Sequence, residues 1–188
     1  MLMKKLLGIV VLGLLLTLNA KADNISDFQI EGMSVGDSLL DFYDEKKIKS
    51  ARKIKEFKDN KYEGRKFFNL KEFSEMQLMY LSKDKTKTIT GISAIEDFDN
   101  NLKKCKEERD STIDSLKEIF KSAKLHGPKK KKHGRIAEWE GYAFIFKSGD
   151  MAVFSCYYSK KDKKYKDHLR ISLRTGDYDW WLVNIAYK

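Results

Sequence analysis

The chain has 188 residues, 35% of them charged and 12% aromatic, with a formal net charge of +10. Disordered chains combine high charge with few aromatics, so this composition excludes them and describes a globular protein. The length suits one domain with a sizeable core, and a single proline, Pro128, leaves no proline-rich linker to divide it.

Met1 to Lys5 is a short positive segment. Thirteen residues from Leu6 to Leu18 follow, apolar apart from Gly8, Gly13 and Thr17. Ala20-Lys21-Ala22 then places small residues where a signal peptidase reads them. Together these predict a secretory signal peptide over 1–22, cleaved before Asp23, and a single α+β domain over 23–188. A membrane anchor is the competing reading, but a helix of that length rises only about 20 Å against a hydrocarbon core of about 30 Å. No cysteine near the cleavage site offers a lipid attachment point, and no later apolar run has the length of a membrane span. The expected location is periplasmic or secreted.

Phe28 to Ile30 reads as a short strand broken by Gly32. Ser34, followed three residues later by Asp37, fits a capping box and predicts a helix over about 36–50 through Leu39, Leu40, Phe42, Tyr43 and Ile48. Tyr62-Glu63-Gly64-Arg65 reads as a turn and Lys66 to Leu70 as a strand. Met76–Ser82 and Thr88–Ile95 read as a hairpin around Lys83-Asp84-Lys85-Thr86. The clearest helix covers about 98–124: Phe98, Leu102, Cys105, Ile113, Leu116, Phe120 and Ala123 recur mostly three and four apart, and Gly127-Pro128 supplies the stop. Arg109 lies on that apolar stripe. It either pairs with a buried acid or, the preferred reading, lays its stem along the packed surface.

Lys129 to Arg135 then reads as a charged loop. Tyr142–Lys147 and Met151–Tyr158 form a hairpin around Ser148-Gly149-Asp150, and Ser159 to Asp167 is a second lysine-rich loop. Leu169, Ile171 and Leu173 alternate with His168, Arg170, Ser172 and Arg174, a strand with one apolar and one polar face. Asp177 to Tyr187 reads as a short C-terminal helix after Thr175-Gly176, with strand as the alternative. The class is α+β with a largely antiparallel sheet. Gly32-Met33-Ser34 and Gly91-Ile92-Ser93, each ahead of a helix and about three strands, admit a description as two α-β-β-β units.

Two cysteines in an exported chain read as one disulfide, Cys105–Cys156. Period-two alternation puts Cys156 with Ala152, Phe154 and Tyr158, while Cys105 lies on the helix stripe, so the bond staples helix to sheet. Charge is unevenly placed. Residues 23–120 hold 19 basic and 21 acidic side chains, and residues 121–188 hold 16 and 7. The excess predicts an anionic partner for the C-terminal region, with Lys129, Lys130, Lys131, Lys132, Arg135, Lys160, Lys161, Lys163, Lys164, Arg170 and Arg174 as the binding residues. The opposing reading is compositional, since 32 of the 38 basic residues are lysine. Twelve of the 23 aromatics lie between Trp139 and Tyr187, interleaved with those charges. Such interleaving suits single-stranded nucleic acid, but export removes most of that class and leaves anionic lipid, lipopolysaccharide and cell-wall polymers.

His126, His133 and His168 form no zinc spacing, and His126 and His133 flank four lysines that repel a cation. No phosphate-binding glycine loop and no nucleophile elbow occur, so neither a cofactor nor a metal is expected. The pairs Glu107/Glu108, Asp97/Asp99 and Asp177/Asp179, and the segment Glu138-Trp139-Glu140, are too common to imply carboxylate catalysis.

Phe28-Gln29-Ile30-Glu31-Gly32-Met33-Ser34, followed by a short helix and a meander, resembles the opening of the small outer-membrane-assembly lipoproteins. The resemblance covers about 60 residues and implies an α-β-β-type fold that acts as a binding module in a bacterial envelope. The whole chain is also similar to lysine-rich, uncharacterised exported proteins of AT-rich Gram-negative bacteria. The expected function is a non-enzymatic envelope binding module that takes an anionic component through its basic C-terminal region. The alternatives are a small periplasmic hydrolase whose site spacing does not reveal, and a structural accessory protein docked on another envelope protein.

Overall fold

Apolar residues at period two dominate from Tyr62 onward, and they build one sheet. The computed structural model describes residues 24–54, 59–162 and 164–186. The predicted signal peptide, Lys163 and Tyr187 lie outside the described residues. The strands are β1 (Arg52–Lys53), β2 (Tyr62–Phe68), β3 (Glu75–Leu81), β4 (Ile89–Asp97), β5 (Lys124–His133), β6 (Ala137–Ile145), β7 (Met151–Tyr158) and β8 (His168–Arg174). The helices are α1 (Glu45–Ser50), α2 (Leu102–Ile119) and α3 (Gly176–Trp181). The sheet order is β1-β2-β3-β4-β8-β7-β6-β5, with every neighbouring pair antiparallel. The fold is therefore α+β and mostly sheet. Each half is a helix followed by a four-stranded meander, one strand more per unit than predicted, and the halves meet through their last strands.

One face of the sheet carries the main core. Met76 and Leu78 of β3, Ile92 and Ala94 of β4, Leu169, Ile171 and Leu173 of β8, and Ala152 and Phe154 of β7 all lie in one buried cluster. Cys105, Ile113 and Leu116 of α2 cover it, and Phe28 fills the centre with ring centroids 5.6 Å from Phe120 and 6.2 Å from Phe154. Cys105 and Cys156 lie at disulfide distance, S–S 2.12 Å and Cα–Cα 6.0 Å.

Among the described residues, the opposite face is covered over β2–β4 alone. There Tyr62 and Met79 pack against Tyr178, Trp181 and Leu182 of α3 and the π-helical turn that continues it to Ala186. Gly91 permits the approach: a Cβ there would stand 2.6 Å from the Tyr178 ring. Trp181 donates its indole N–H to Asp59 at 2.7 Å, tying the C-terminal helix to the start of β2. No helix among the described residues is long and apolar enough to cross a membrane.

Several predicted boundaries are corrected. The long helix begins at Leu102, N-capped by Asn101, whose side chain accepts from Lys104 N–H at 3.0 Å, and it ends at Ile119. Gly127-Pro128 does not stop it. These residues form a bulge inside β5, where the register to β6 shifts between His126 and Lys129. Lys129 to His133 is accordingly strand, and the loop shrinks to the turn at Gly134-Arg135-Ile136. The N-terminal helix is likewise shorter. Ser34 N–H does donate to Asp37 at 2.7 Å, as a capping box requires, but the Ser34 hydroxyl donates instead to Phe28 C=O at 2.9 Å. The chain then makes a 3-10 turn at Leu39–Asp41, and α1 begins only after Asp44 caps it. Phe28–Ile30 is not a strand, since only Ile30 bridges, to Met33. Glu63-Gly64 lies within β2 rather than in a turn, because Gly64 leaves room for the Met79 side chain and Ile54.

Candidate anion-binding face

Among the described residues no helix covers the face of the sheet opposite α2 over β5–β8, and alternation decides what it displays. In β5 it presents Lys129, Lys131 and His133, in β6 Trp139, in β7 Ser155 and Tyr157, and in β8 His168 and Arg170. Register then lines these side chains up across the strands. Lys131 stands opposite Trp139, Trp139 opposite Tyr157, and Tyr157 opposite His168. The next row runs Lys129, Gly141, Ser155, Arg170. Gly141 is required in that row, since a Cβ would stand 2.1 Å from the Ser155 hydroxyl oxygen.

The first row is a stack of rings. Tyr157 and His168 lie parallel with centroids 5.1 Å apart, Trp139 lies 6.4 Å from Tyr157, and His133 meets Tyr157 edge-on at 5.1 Å. Tyr165, from the β7–β8 loop, closes the end against His168 at 5.8 Å. Rings stacked along the sheet turn their edges outward, and the edge of an aromatic ring is its electropositive part. The Arg170 guanidinium carbon lies 5.2 Å from the centre of the Tyr157 ring. Among the described residues no carboxylate lies within ion-pair distance of Arg170, and its Nε is enclosed without a hydrogen-bond partner. The acids of the neighbouring strands have lysine partners, Glu75 with Lys66 at 2.7 Å and Asp97 with Lys166 at 3.9 Å, and the Arg170 charge also helps hold the Glu75 carboxyl below its ordinary range.

Both histidines are held below the ordinary imidazole range. Burial is the main cause for each, and the Arg170 charge adds to it. His168 Nδ1 donates to Lys166 C=O at 3.0 Å, which leaves its Nε2 as the enclosed, unpartnered nitrogen. Near neutral pH the cluster therefore owes its positive charge to Arg170 and the β5 lysines.

The predicted binding residues divide among three places. Lys129, Lys131 and Arg170 share the open face. Lys130 and Lys132 alternate to the other face, where Lys130 pairs with Glu138 at 3.0 Å. Arg135 is exposed in the β5–β6 turn, and Lys160, Lys161 and Lys164 are exposed in the β7–β8 loop. That turn and that loop touch, because the Ser159 hydroxyl donates to Ile136 C=O at 2.6 Å. Arg174 is not part of the cluster. It is bound to Asp179 of α3 at 2.9 Å and lies four residues along β8 from Arg170.

Sequence reading missed the group formed by His133, Trp139, Tyr157 and His168. The alternation of β7 and β8 was legible, but Lys129 to His133 read as a loop, Trp139 lay outside the predicted strand, and the register that aligns four strands was not legible. Arg109 also departs from the preferred reading. It is buried to 2%, donates to Glu140 C=O at 2.9 Å, pairs with the Glu140 carboxylate at 3.4 Å and lies over Tyr142. No group of three or more metal-ligating side chains converges among the described residues. No protein-family model matches the sequence, and no curated protein and no solved structure matches it either.

Proposed function

We propose that the chain is an exported, non-enzymatic binding module of a cell envelope that takes an anionic component through its basic C-terminal half. The observation that carries this reading is the meeting of the two lysine-rich segments at one end of the sheet through the Ser159–Ile136 hydrogen bond. Lys129, Lys131, Arg135, Lys160, Lys161 and Lys164 gather there, exposed and without a carboxylate at ion-pair distance among the described residues. Gathered cations release counterions when a polyanion docks, so binding of this kind weakens steeply with salt. Apposed cysteines support an oxidising compartment, and the N-terminal resemblance to envelope binding modules agrees with it.

The test is co-sedimentation of the purified exported protein with anionic and neutral vesicles, and retention on heparin, across a salt series. Anionic surfaces should retain it at low salt and release it as salt rises. Replacing Lys129, Lys131, Lys160 and Lys161 by Gln should lower retention without unfolding the domain. Equal retention on neutral and anionic vesicles, with no heparin binding, would reject the reading.

A further inference from the structure

From the geometry we infer that Arg170 is the centre of a discrete site for a phosphate-monoester group on the open face of the sheet. The inference rests on the anionic-partner reading and goes beyond it, because it assigns one residue a specific geometric role that the loop lysines do not have. A lysine is a mobile point charge. A guanidinium is a planar fork that matches two oxygens at once. Arg170 is set against Tyr157, whose other neighbours are His168, His133 and Trp139, so the fork is fixed by packing before any ligand arrives. Three arginines of this fold have acids: Arg65 has Glu63, Arg109 has Glu140 and Arg174 has Asp179. Arg170 has none within ion-pair distance among the described residues, although it lies on a sheet face where neighbouring acids are already engaged by Lys66 and Lys166.

The chemistry around the fork selects the ligand. Lys129 stands in the same register row three strands away, about 14 Å at the usual strand spacing, and Lys131 in the next row, so the two lysines add positive field to the face. Ring edges complete a surface that is electropositive. A carboxylate offers two oxygens and one charge. A phosphate monoester offers three oxygens and close to two charges, so it gains from the fork by contact and from the β5 lysines through their longer-range field. A free phosphorylated metabolite and a phosphomonoester lipid headgroup share this chemistry.

The experiment uses the purified exported protein and its Arg170→Lys variant, which keeps the charge and loses the fork. The probes are glycerol 3-phosphate in solution, measured by calorimetry, and vesicles doped with phosphatidic acid (a monoester) or phosphatidylglycerol (a diester). The wild type should bind a monoester saturably, and Arg170→Lys should weaken that binding at least tenfold. Heparin retention, which follows net charge and the exposed lysines, should fall far less than monoester binding in the variant. Arg170-dependent binding of glycerol 3-phosphate identifies a free ligand, and dependence seen only on phosphatidic acid vesicles identifies the headgroup. Tyr157→Leu, which frees the arginine from its ring, should weaken the same binding while heparin retention persists. If heparin and both vesicle types retain the protein and Arg170→Lys binds every monoester as the wild type does, this site is overturned and the basic-surface reading stands. If nothing anionic binds, both fall.

Discussion

Arg109 and Glu140 form an unequal pair, and their replacements should differ in cost. Glu140 has a second partner, Lys106 at 2.8 Å, and its carboxyl sits below the usual range despite opposing burial because Lys106 and Arg109 stabilise the charge. Arg109, at 2% exposure, has otherwise, among the described residues, the exposed Asp110 and the ring of Tyr142. Removing the acid leaves a buried cation short of a counter-charge, which typically costs about 3 kcal/mol. Removing the cation leaves the acid paired with Lys106, and a methionine can refill the space at a cost of about 1 kcal/mol. Urea denaturation should therefore rank Glu140→Ala well below Arg109→Met in stability. The reverse order would show that packing of the arginine stem matters more than its charge.

Glu96 sets a pH dependence at the same scale. It lies on the helix-covered side of β4, and its carboxyl is pushed up to about 7, mainly by burial and further by Glu108 of α2, with Lys104 partly offsetting. One of its oxygens is enclosed without a hydrogen-bond partner. The folded state thus holds this proton more tightly than the unfolded chain does. The stability it contributes is full below the unfolded pKa of about 4.3 and is lost as pH rises through about 7. Glu96→Gln should raise stability at pH 8 by about 1 kcal/mol, a value reduced for partial exposure, and change little at pH 4. Equal effects at both pH values would remove the carboxyl from the account.

At the scale of elements, the Cys105–Cys156 pair joins α2 to β7 across 51 residues of sequence. Closing a loop of that length restricts the unfolded chain, and the double Cys→Ser variant should lose about 3–4 kcal/mol. Thermal unfolding with and without reductant is the check, and an unchanged midpoint would mean the bond does not form. The lysine run has a role at this scale too. β5 is a sheet edge, and an edge exposes unpaired backbone groups that invite another strand. Lys129 to Lys132 put charge on both faces of that edge, which opposes edge-to-edge pairing whether or not a ligand binds. Replacing all four by Thr should produce dimers or larger species in light scattering. A strictly monomeric variant would leave ligand binding as the reason for the run.

For the whole molecule, the junction of β4 with β8 decides how the halves behave. Ile92 and Ala94 of one half and Ile171 and Leu173 of the other belong to the same buried cluster, and Phe28 reaches Phe154 across it. Neither meander can expose its share of that core alone, so unfolding should be a single cooperative transition. Trp181 packs on the β2–β4 face and Trp139 on the β5–β8 face, so single-tryptophan variants report each half separately. Their urea curves should coincide with each other and with circular dichroism. Separate midpoints would show two independently folding units.

The alternation in β7 and β8, the helical stripe through Cys105, Ile113 and Leu116, and the hairpin turns at Asp84 and Gly149 were all legible in the sequence, because each rests on neighbours within a few residues. So was the apposition of Cys105 and Cys156, since both periodicities turned those residues inward. Elements whose form depends on distant partners were misread. Gly127-Pro128 looks like a helix stop, yet it bulges within a strand because β6 offers the edge to pair with. Ser34 and Asp37 look like a helix cap, yet Phe28 takes the serine hydroxyl. The candidate site belongs to this second kind. The lysines are exposed on β5, Tyr157 is half-buried on β7 and His168 and Arg170 on β8, and nothing local distinguishes them from a solvated face. Only cross-strand register, fixed by long-range pairing, stacks Tyr157 on His168 and sets Arg170 against that stack, with no carboxylate within ion-pair distance among the described residues.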